Sequence, residues 1–92
     1  MTEIRVSPRG GDAYNVTVSD SDGSTTTHTV IAGAADVDRF GAGSDASSLI
    51  GASFRFLLDR EPKEAILATF DLSVIARYFP DYPASIGAYL AR

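Results

Sequence analysis

The sequence predicts an α+β fold in which an N-terminal three-stranded antiparallel meander packs against three to four C-terminal helices. Over the first third of the chain apolar and polar residues alternate, as they do in half-buried strands. Beyond Gly33 the apolar residues recur at spacings of three and four, as they do in amphipathic helices. The 92 residues fit one domain, with a β-meander over residues 1–32 and a helical part over residues 34–92.

Turn-forming residues divide the first part into three strands. Apolar residues alternate with polar ones in segments 4–6 and 14–18, and segment 25–31 is rich in β-branched residues. Segments 8–12 and 20–24 combine glycine with proline, aspartate or serine, which favours tight turns. Two successive hairpins are therefore expected. A three-stranded sheet with one apolar face needs a cover, and the helical part must supply it.

Glycines separate the first two predicted helices. Residues 34–40 predict a short helix that stops at the glycines of segment 41–43. Asp45 or Ser44 stands where an N-cap belongs, ahead of a helix that runs to about Asp59. The apolar stripe of this second helix is wide, so we expect the helix to be substantially buried.

Prolines and an aspartate mark the remaining helices. Pro62 suits the first turn of a third helix, which would carry the apolar residues of segment 66–70. Asp71 is placed as the N-cap of a fourth helix that ends at Pro80. A last amphipathic turn or two would carry the apolar residues of segment 86–90.

Composition and charge exclude several function classes. The chain has no cysteine, so disulfides, cysteine-ligated metals and thiol nucleophiles are excluded. Eight basic and twelve acidic residues give a net charge of −4, which argues against a nucleic-acid partner. No apolar run is long enough for a membrane span, and the first residues carry no secretory signal, so the sequence predicts a cytoplasmic protein without a membrane partner.

No arrangement of polar residues predicts catalysis, a metal or a cofactor. His28 is the only histidine and is expected to be exposed on its strand. The Asp20–Gly23 stretch resembles the start of a calcium loop but lacks the closing glutamate, which favours a hairpin turn. The carboxylate pairs Asp36 with Asp38 and Glu61 with Glu64 are interpreted as solvated or capping groups.

Two segments are more distinctive than a generic core requires. They read FRFLLDREPKEAIL over residues 54–67 and FDLSVIARYFPDY over residues 70–82. They resemble a small uncharacterised bacterial family in which an FLLxREPKEsIL…FDLSVIxRYFPeY run recurs. The resemblance covers about a third of the chain. It implies a shared fold and carries no activity with it.

The end of the second segment is the candidate partner-binding site. Its residues are Arg77, Tyr78, Asp81 and Tyr82. Arginine and tyrosine are enriched at binding hot spots because they bring large amphipathic surfaces with few rotamers to freeze. The alternative is a packing role, in which Phe79 fills the core, the tyrosines cover its edge and Arg77 pairs with Asp71 or Asp81.

The leading functional hypothesis is a small non-catalytic domain that binds another protein or a second copy of itself. The alternative is a helix-turn-helix-like DNA-binding regulator or antitoxin-like protein, built from three short helices joined by tight turns. The charge balance disfavours this alternative, since a recognition helix over residues 71–79 would present Arg77 as its single cation.

Overall fold

The structure is a computed structural model, and it describes residues 2–91. The strands are β1 (Glu3–Gly10), β2 (Ala13–Ser19), β3 (Thr25–Ile31) and β4 (Thr69–Asp71). The helices are α1 (Ala34–Phe40), α2 (Ala46–Leu58), α3 (Leu72–Tyr78) and α4 (Tyr82–Leu90), and Lys63–Ala65 forms one 3-10 turn. The predicted α+β class is confirmed. The two terminal residues of the expected domain, 1 and 92, lie outside the described residues.

The sheet has four strands within the described part of the chain, in the order β1-β2-β3-β4. β1, β2 and β3 form the expected antiparallel meander, and β4 adds to β3 in parallel. The prediction of a helix over segment 66–70 is wrong. The extended form adds this segment to β3, where the Thr29 amide donates to the Ala68 carbonyl, and it places Phe70 opposite Val30 in the core.

One face of the sheet packs on α2, which is the central helix of the domain. Val16, Val18 and Val30 are fully buried on this face. α2 contacts β1 on one side and α4 on the other. Its fully buried residues are Leu49, Ile50, Ala52, Ser53, Phe54 and Phe56. Because both the sheet and α4 cover it, α2 is apolar around most of its circumference.

Local sequence signals place the helix ends where the sequence predicts them. The Asp45 carboxylate accepts a hydrogen bond from the Ser48 amide at 2.8 Å and caps α2. The Asp71 carboxylate accepts from the Ser73 amide at 3.0 Å and caps α3. α1 ends at Gly41, where an added Cβ would lie 2.5 Å from the Val37 carbonyl oxygen, so the close approach requires glycine.

His28 is buried, and the prediction of an exposed strand residue is wrong. The side chain is 3% exposed, its ring meets Phe54 edge to face at 5.3 Å, and it shares the inner sheet face with Val16 and Val30. Cross-strand partners lie on the same face of a sheet, so the register that pairs His28 with Val16 forces the imidazole inward.

Candidate functional site

An apolar groove lies beside α3. It has a volume of about 380 Å³ and runs between the end of α2, the segment after the 3-10 turn and α3. Its lining residues are Leu57, Glu61, Ala65, Ile66, Leu67, Phe70, Val74, Ile75, Tyr78 and Phe79. We call these ten residues the α3 groove. All ten belong to the two distinctive segments, 54–67 and 70–82.

The two large apolar side chains that are exposed within residues 2–91 both line this groove. Leu67 is 50% exposed and Tyr78 is 69% exposed. Single exposed apolar residues are common on protein surfaces and need no explanation. Two of them that line one apolar groove form a patch of the kind found at interaction sites.

The position of the 3-10 turn depends on Lys63. Its ammonium donates to an Asp20 carboxylate oxygen and, at 2.7 Å, to the Ser24 hydroxyl, both in the turn between β2 and β3. It also pairs with Glu64 at 2.7 Å, and the hydrogen bond to Asp20 is the main reason that the pKa of Lys63 is raised. This buried side chain therefore connects the 3-10 turn beside the groove to the turn between β2 and β3.

His28 fixes the backbone at Leu67. Its Nδ1 lies 2.7 Å from the Leu67 carbonyl oxygen. A carbonyl can only accept, so Nδ1 carries the hydrogen of this bond. The other ring nitrogen, Nε2, is hydrogen-bonded to the Thr26 hydroxyl at 2.8 Å. The main chain of Leu67 is thus held against β3 while its side chain faces the groove. The imidazole of His28 therefore has a structural role.

The groove carries one carboxylate, that of Glu61. Within residues 2–91 this carboxylate has no cationic partner within ion-pair distance. The neighbouring cations are engaged elsewhere: Lys63 with Asp20 and Glu64, and Arg60 with Asp81. The groove therefore offers an apolar floor with one unpaired negative charge at its wall.

The four residues of the candidate partner-binding site are not brought together. Tyr78 lines the α3 groove, and Arg77 is exposed next to it in the chain. Asp81 forms an ion pair with Arg60 at 2.6 Å, which holds the pKa of Asp81 below its usual value. Tyr82 is fully buried, so it packs in the core in this structure and presents no surface to a partner.

Tyr82 forms part of a buried hydrogen-bonded chain with α2. The Ser53 hydroxyl donates to the Leu49 carbonyl at 2.7 Å, so it accepts from the Tyr82 hydroxyl, also at 2.7 Å. Burial raises the pKa of Tyr82 to about 12. The ring meets Phe40 and Phe56 at centroid distances of 5.0 and 5.2 Å, as in aromatic clusters of protein cores.

Arg77 does not form the ion pair that the packing alternative expects. Within residues 2–91 it pairs with neither Asp71 nor Asp81. Asp71 instead caps α3 through Ser73, and Asp81 is taken by Arg60 from the end of α2. Both carboxylates thus have other partners, and Arg60, the partner of Asp81, lies 21 residues away in the sequence.

The structure brings together two carboxyl groups that are distant in sequence. Asp36 and Asp71 lie close enough for each to shift the pKa of the other. Burial and then Asp71 raise the pKa of Asp36, whereas the Ser73 amide lowers the pKa of Asp71. Neither carboxyl lines the α3 groove. The pairs considered from the sequence, Asp36 with Asp38 and Glu61 with Glu64, are not the ones formed.

Leu67 and Glu61 are groove residues that the sequence did not identify. The sequence placed Leu67 on the apolar stripe of a helix, where it would have faced the core. A strand signal was available in Thr69 and Phe70 ahead of the Asp71 cap, but three residues are too few for a clear period-two pattern. The groove depends on this short strand, because β4 leads directly into α3.

The described residues show neither a metal cluster nor a membrane span. No group of three or more histidine, aspartate or glutamate side chains in residues 2–91 is placed to hold a metal ion. No helix in the same range combines the length and the apolar content needed to cross a bilayer. Comparison of the chain with protein-family models, with curated proteins and with solved structures gives no match.

Proposed function

We propose that this chain is a non-catalytic protein-binding domain whose α3 groove holds an apolar peptide segment of a partner protein, with a basic residue of that segment against Glu61. The observation that carries the proposal is that Leu67 and Tyr78, the large apolar side chains exposed within residues 2–91, both line one groove. The two segments that line the groove resemble a bacterial family, and membership of that family stays a prediction.

The apolar lining supplies the binding free energy in this proposal. Burying an exposed leucine or a side chain of similar size stabilises a complex by about 1.5–3 kcal/mol before the entropy of ordering the peptide is subtracted. Tyr78 adds a large rigid surface of the type enriched at hot spots. A few apolar anchors on a short peptide segment fit a groove of about 380 Å³.

Charge supplies the orientation. Glu61 is the carboxylate of the groove, and it has no cationic partner within the described residues. The net charge of the chain, −4, adds a weak long-range attraction for basic segments. A basic residue next to the apolar anchors would therefore be favoured over an acidic one, which Glu61 would repel.

The proposal is tested by replacing the two exposed side chains. We expect that Leu67→Asp and Tyr78→Asp abolish capture of the partner from native lysate while the melting temperature stays close to that of the wild type, because both side chains are exposed. Glu61→Lys should weaken capture and leave the apolar contacts intact. A photo-crosslinking residue at position 67 should attach to the same partner.

The matched control is Thr27→Asp, which introduces the same charge at an exposed position of β3 on the opposite face of the sheet. Capture by this variant should equal that by the wild type. If the Leu67 and Tyr78 variants retain the partner, the groove is not its binding site.

The helix-turn-helix alternative has no observation in its favour. The 3-10 turn and β4 lie between α2 and α3, where that motif needs a tight turn between helices. α3 carries Arg77 as its single cation. Titration with duplex DNA at low salt is the discriminating measurement. Micromolar binding with a steep salt dependence would overturn the protein-binding proposal in favour of DNA.

A further inference from the structure

The second surface with unused bonding capacity is the free edge of β1, on the opposite side of the sheet from β4. β1 pairs only with β2 among the strands of residues 2–91, so the other side of its backbone is unpaired. Such an edge can pair with another strand, and native proteins usually protect it with charges, prolines, bulges or a covering segment. Backbone groups of alternate residues in a strand point to opposite sides. The hydrogen-bond pattern of the neighbouring strands, here called its phase, therefore shows which residues of β1 point their N–H and C=O groups away from the sheet.

That phase is set at β3. The Thr29 amide donates to the Ala68 carbonyl at 2.7 Å, so the backbone groups of Thr29 point toward β4. Backbone groups of successive strand residues point to alternate sides, so those of His28 point toward β2 and bond with its partner Val16.

The two ends of the β2–β3 pair show the same phase. The Asp20 amide donates to the Ser24 carbonyl at 2.9 Å, and the Ala32 amide donates to the Asp12 carbonyl at 2.8 Å. Both bonds join residues with even numbers, as the pair of His28 with Val16 does. The phase therefore holds along the whole of β2.

The same alternation identifies the free groups of β1. Thr17 points toward β1, and its partner Arg5 points back toward β2. This leaves the backbone groups of Ile4, Val6 and Pro8 facing away from the sheet. Proline has no amide hydrogen, so the usable amides of the free edge are those of Ile4 and Val6, and Pro8 closes one end of it.

The side chains along this edge differ on the two faces of the sheet. On the helix side Ile4 and Val6 are only half-buried, and clefts of about 370 and 430 Å³ open beside them against α2. On the outer side Glu3 and Arg5 are exposed and form an ion pair along the strand. Up to Pro8 the edge thus has a half-covered apolar face and an outer face that carries one charge of each sign. Arg9 is the next charged residue of the strand and lies beyond Pro8.

We propose that β1 is a self-association surface, on which two copies of this chain pair their β1 strands antiparallel about a two-fold axis, with Ile4 opposite Ile4 of the second copy. The two four-stranded sheets then form one continuous sheet of eight strands. Self-pairing is isologous, so every contact is made twice. This surface is separate from the α3 groove and does not depend on the function proposed for that groove.

Charge complementarity selects the second copy and this register. With Ile4 on the two-fold axis, Glu3 of each copy lies directly opposite Arg5 of the other, in pairs whose side chains approach closely because no backbone bond joins them. The ion pair that now runs along one strand is exchanged for two that cross the interface.

The neighbouring registers are less favourable. A shift that places Arg5 on the axis sets Arg5 opposite Arg5, which is repulsive. A further shift that places Val6 on the axis sets Ile4 against Pro8, and the missing proline amide leaves one Ile4 carbonyl in each copy without a partner. The register centred on Ile4 keeps Pro8 outside the paired segment.

The test is a charge exchange followed by analytical ultracentrifugation of the full chain. The wild type should show a monomer–dimer equilibrium. Glu3→Arg and Arg5→Glu should each weaken dimerisation by about tenfold or more, because each places like charges opposite one another twice. The double variant Glu3→Arg/Arg5→Glu should restore it. An equimolar mixture of the two single variants should form heterodimers, because their charges are then complementary.

The controls separate the interface from the fold and from the groove. Glu3 and Arg5 are exposed, so circular dichroism should show unchanged folding in their variants. Leu67→Asp, in the α3 groove, should leave dimerisation unchanged. A chain that stays monomeric at about 1 mM overturns the proposal. A dimer that is insensitive to the charge reversals, or a mixture of the single variants that does not associate, also overturns it.

Discussion

The sequence context of Tyr82 suggests a binding role, and the structure gives it a packing role. In sequence it belongs to an aromatic, charged stretch that has the composition of a binding hot spot, yet the structure buries it completely against α2. Its hydroxyl donates to Ser53, and Ser53 donates to the Leu49 carbonyl. Because Tyr82 is the donor, removing the Ser53 hydroxyl leaves the buried Tyr82 hydroxyl without an acceptor. Removing the Tyr82 hydroxyl leaves the bond from Ser53 to Leu49 intact.

We therefore expect Ser53→Ala to destabilise the protein more than Tyr82→Phe does. The first leaves the Tyr82 hydroxyl buried and unsatisfied, at about 1–3 kcal/mol, whereas the second removes that hydroxyl and costs about 0.5–1.5 kcal/mol. The double variant should be less destabilised than the sum of the two. Urea unfolding of the three variants measures these differences. Additive effects, or a larger loss in Tyr82→Phe, would contradict this assignment of the donors.

At the scale of elements, β4 is the segment on which the candidate site depends. Its three residues join the sheet beside β3 and lead directly into α3, so they place α3 and its exposed Tyr78 next to the segment that carries Leu67. A strand this short has few hydrogen bonds of its own. Its attachment is strengthened by the bond from His28 to the Leu67 carbonyl, which lies just ahead of the strand.

Replacing His28 should loosen this attachment. We expect His28→Leu to remove the donor to the Leu67 carbonyl, to lower the free energy of unfolding by about 0.5–1.5 kcal/mol, and to speed hydrogen exchange of the Thr29 amide. That amide reports on β4 because it is bonded to the Ala68 carbonyl. Thr27→Ala, an exposed change on the same strand, is the control. Exchange at Thr29 that does not differ from the wild type would argue against this role of His28.

At the scale of the molecule, the sheet and the helices stabilise each other. Val16, Val18 and Val30 on the sheet are buried by the helical part, and Phe54 of α2 contacts both His28 and Phe70 at ring distances of 5.3 and 6.0 Å. The core of the described residues therefore includes side chains from both parts of the chain. The meander has one apolar face, and without the helices that face would be in water.

A peptide of residues 1–32 should consequently remain unfolded. The physical reason is that a three-stranded sheet without its cover does not bury enough apolar surface to offset the loss of chain entropy. Circular dichroism and the amide region of a proton NMR spectrum are the measurements, with the full chain as the control. Well-dispersed amide signals from the isolated peptide would show that the meander is stable alone and that this account of the core is mistaken.

Local chemistry let the sequence predict most of the elements. The alternation of segments 4–6 and 14–18, the β-branched residues of segment 25–31, the glycines that end α1 and the caps at Asp45 and Asp71 all act within a few residues of one another. Such signals can be identified from the sequence alone because the interacting groups are neighbours along the chain. The charge balance and the lack of cysteine are likewise properties of composition.

Only the tertiary structure decided which residues meet across the chain. It turned His28 inward, paired Arg60 with Asp81 and brought Asp36 close to Asp71. It also made β4 from a segment whose spacing fits a helix, and so placed Leu67 and Tyr78 on one groove. The physical reason is that such contacts depend on strand register and on the order of the strands in the sheet. The order of the strands and the contacts between elements are set by the packing of the whole core, which joins residues that are far apart along the chain.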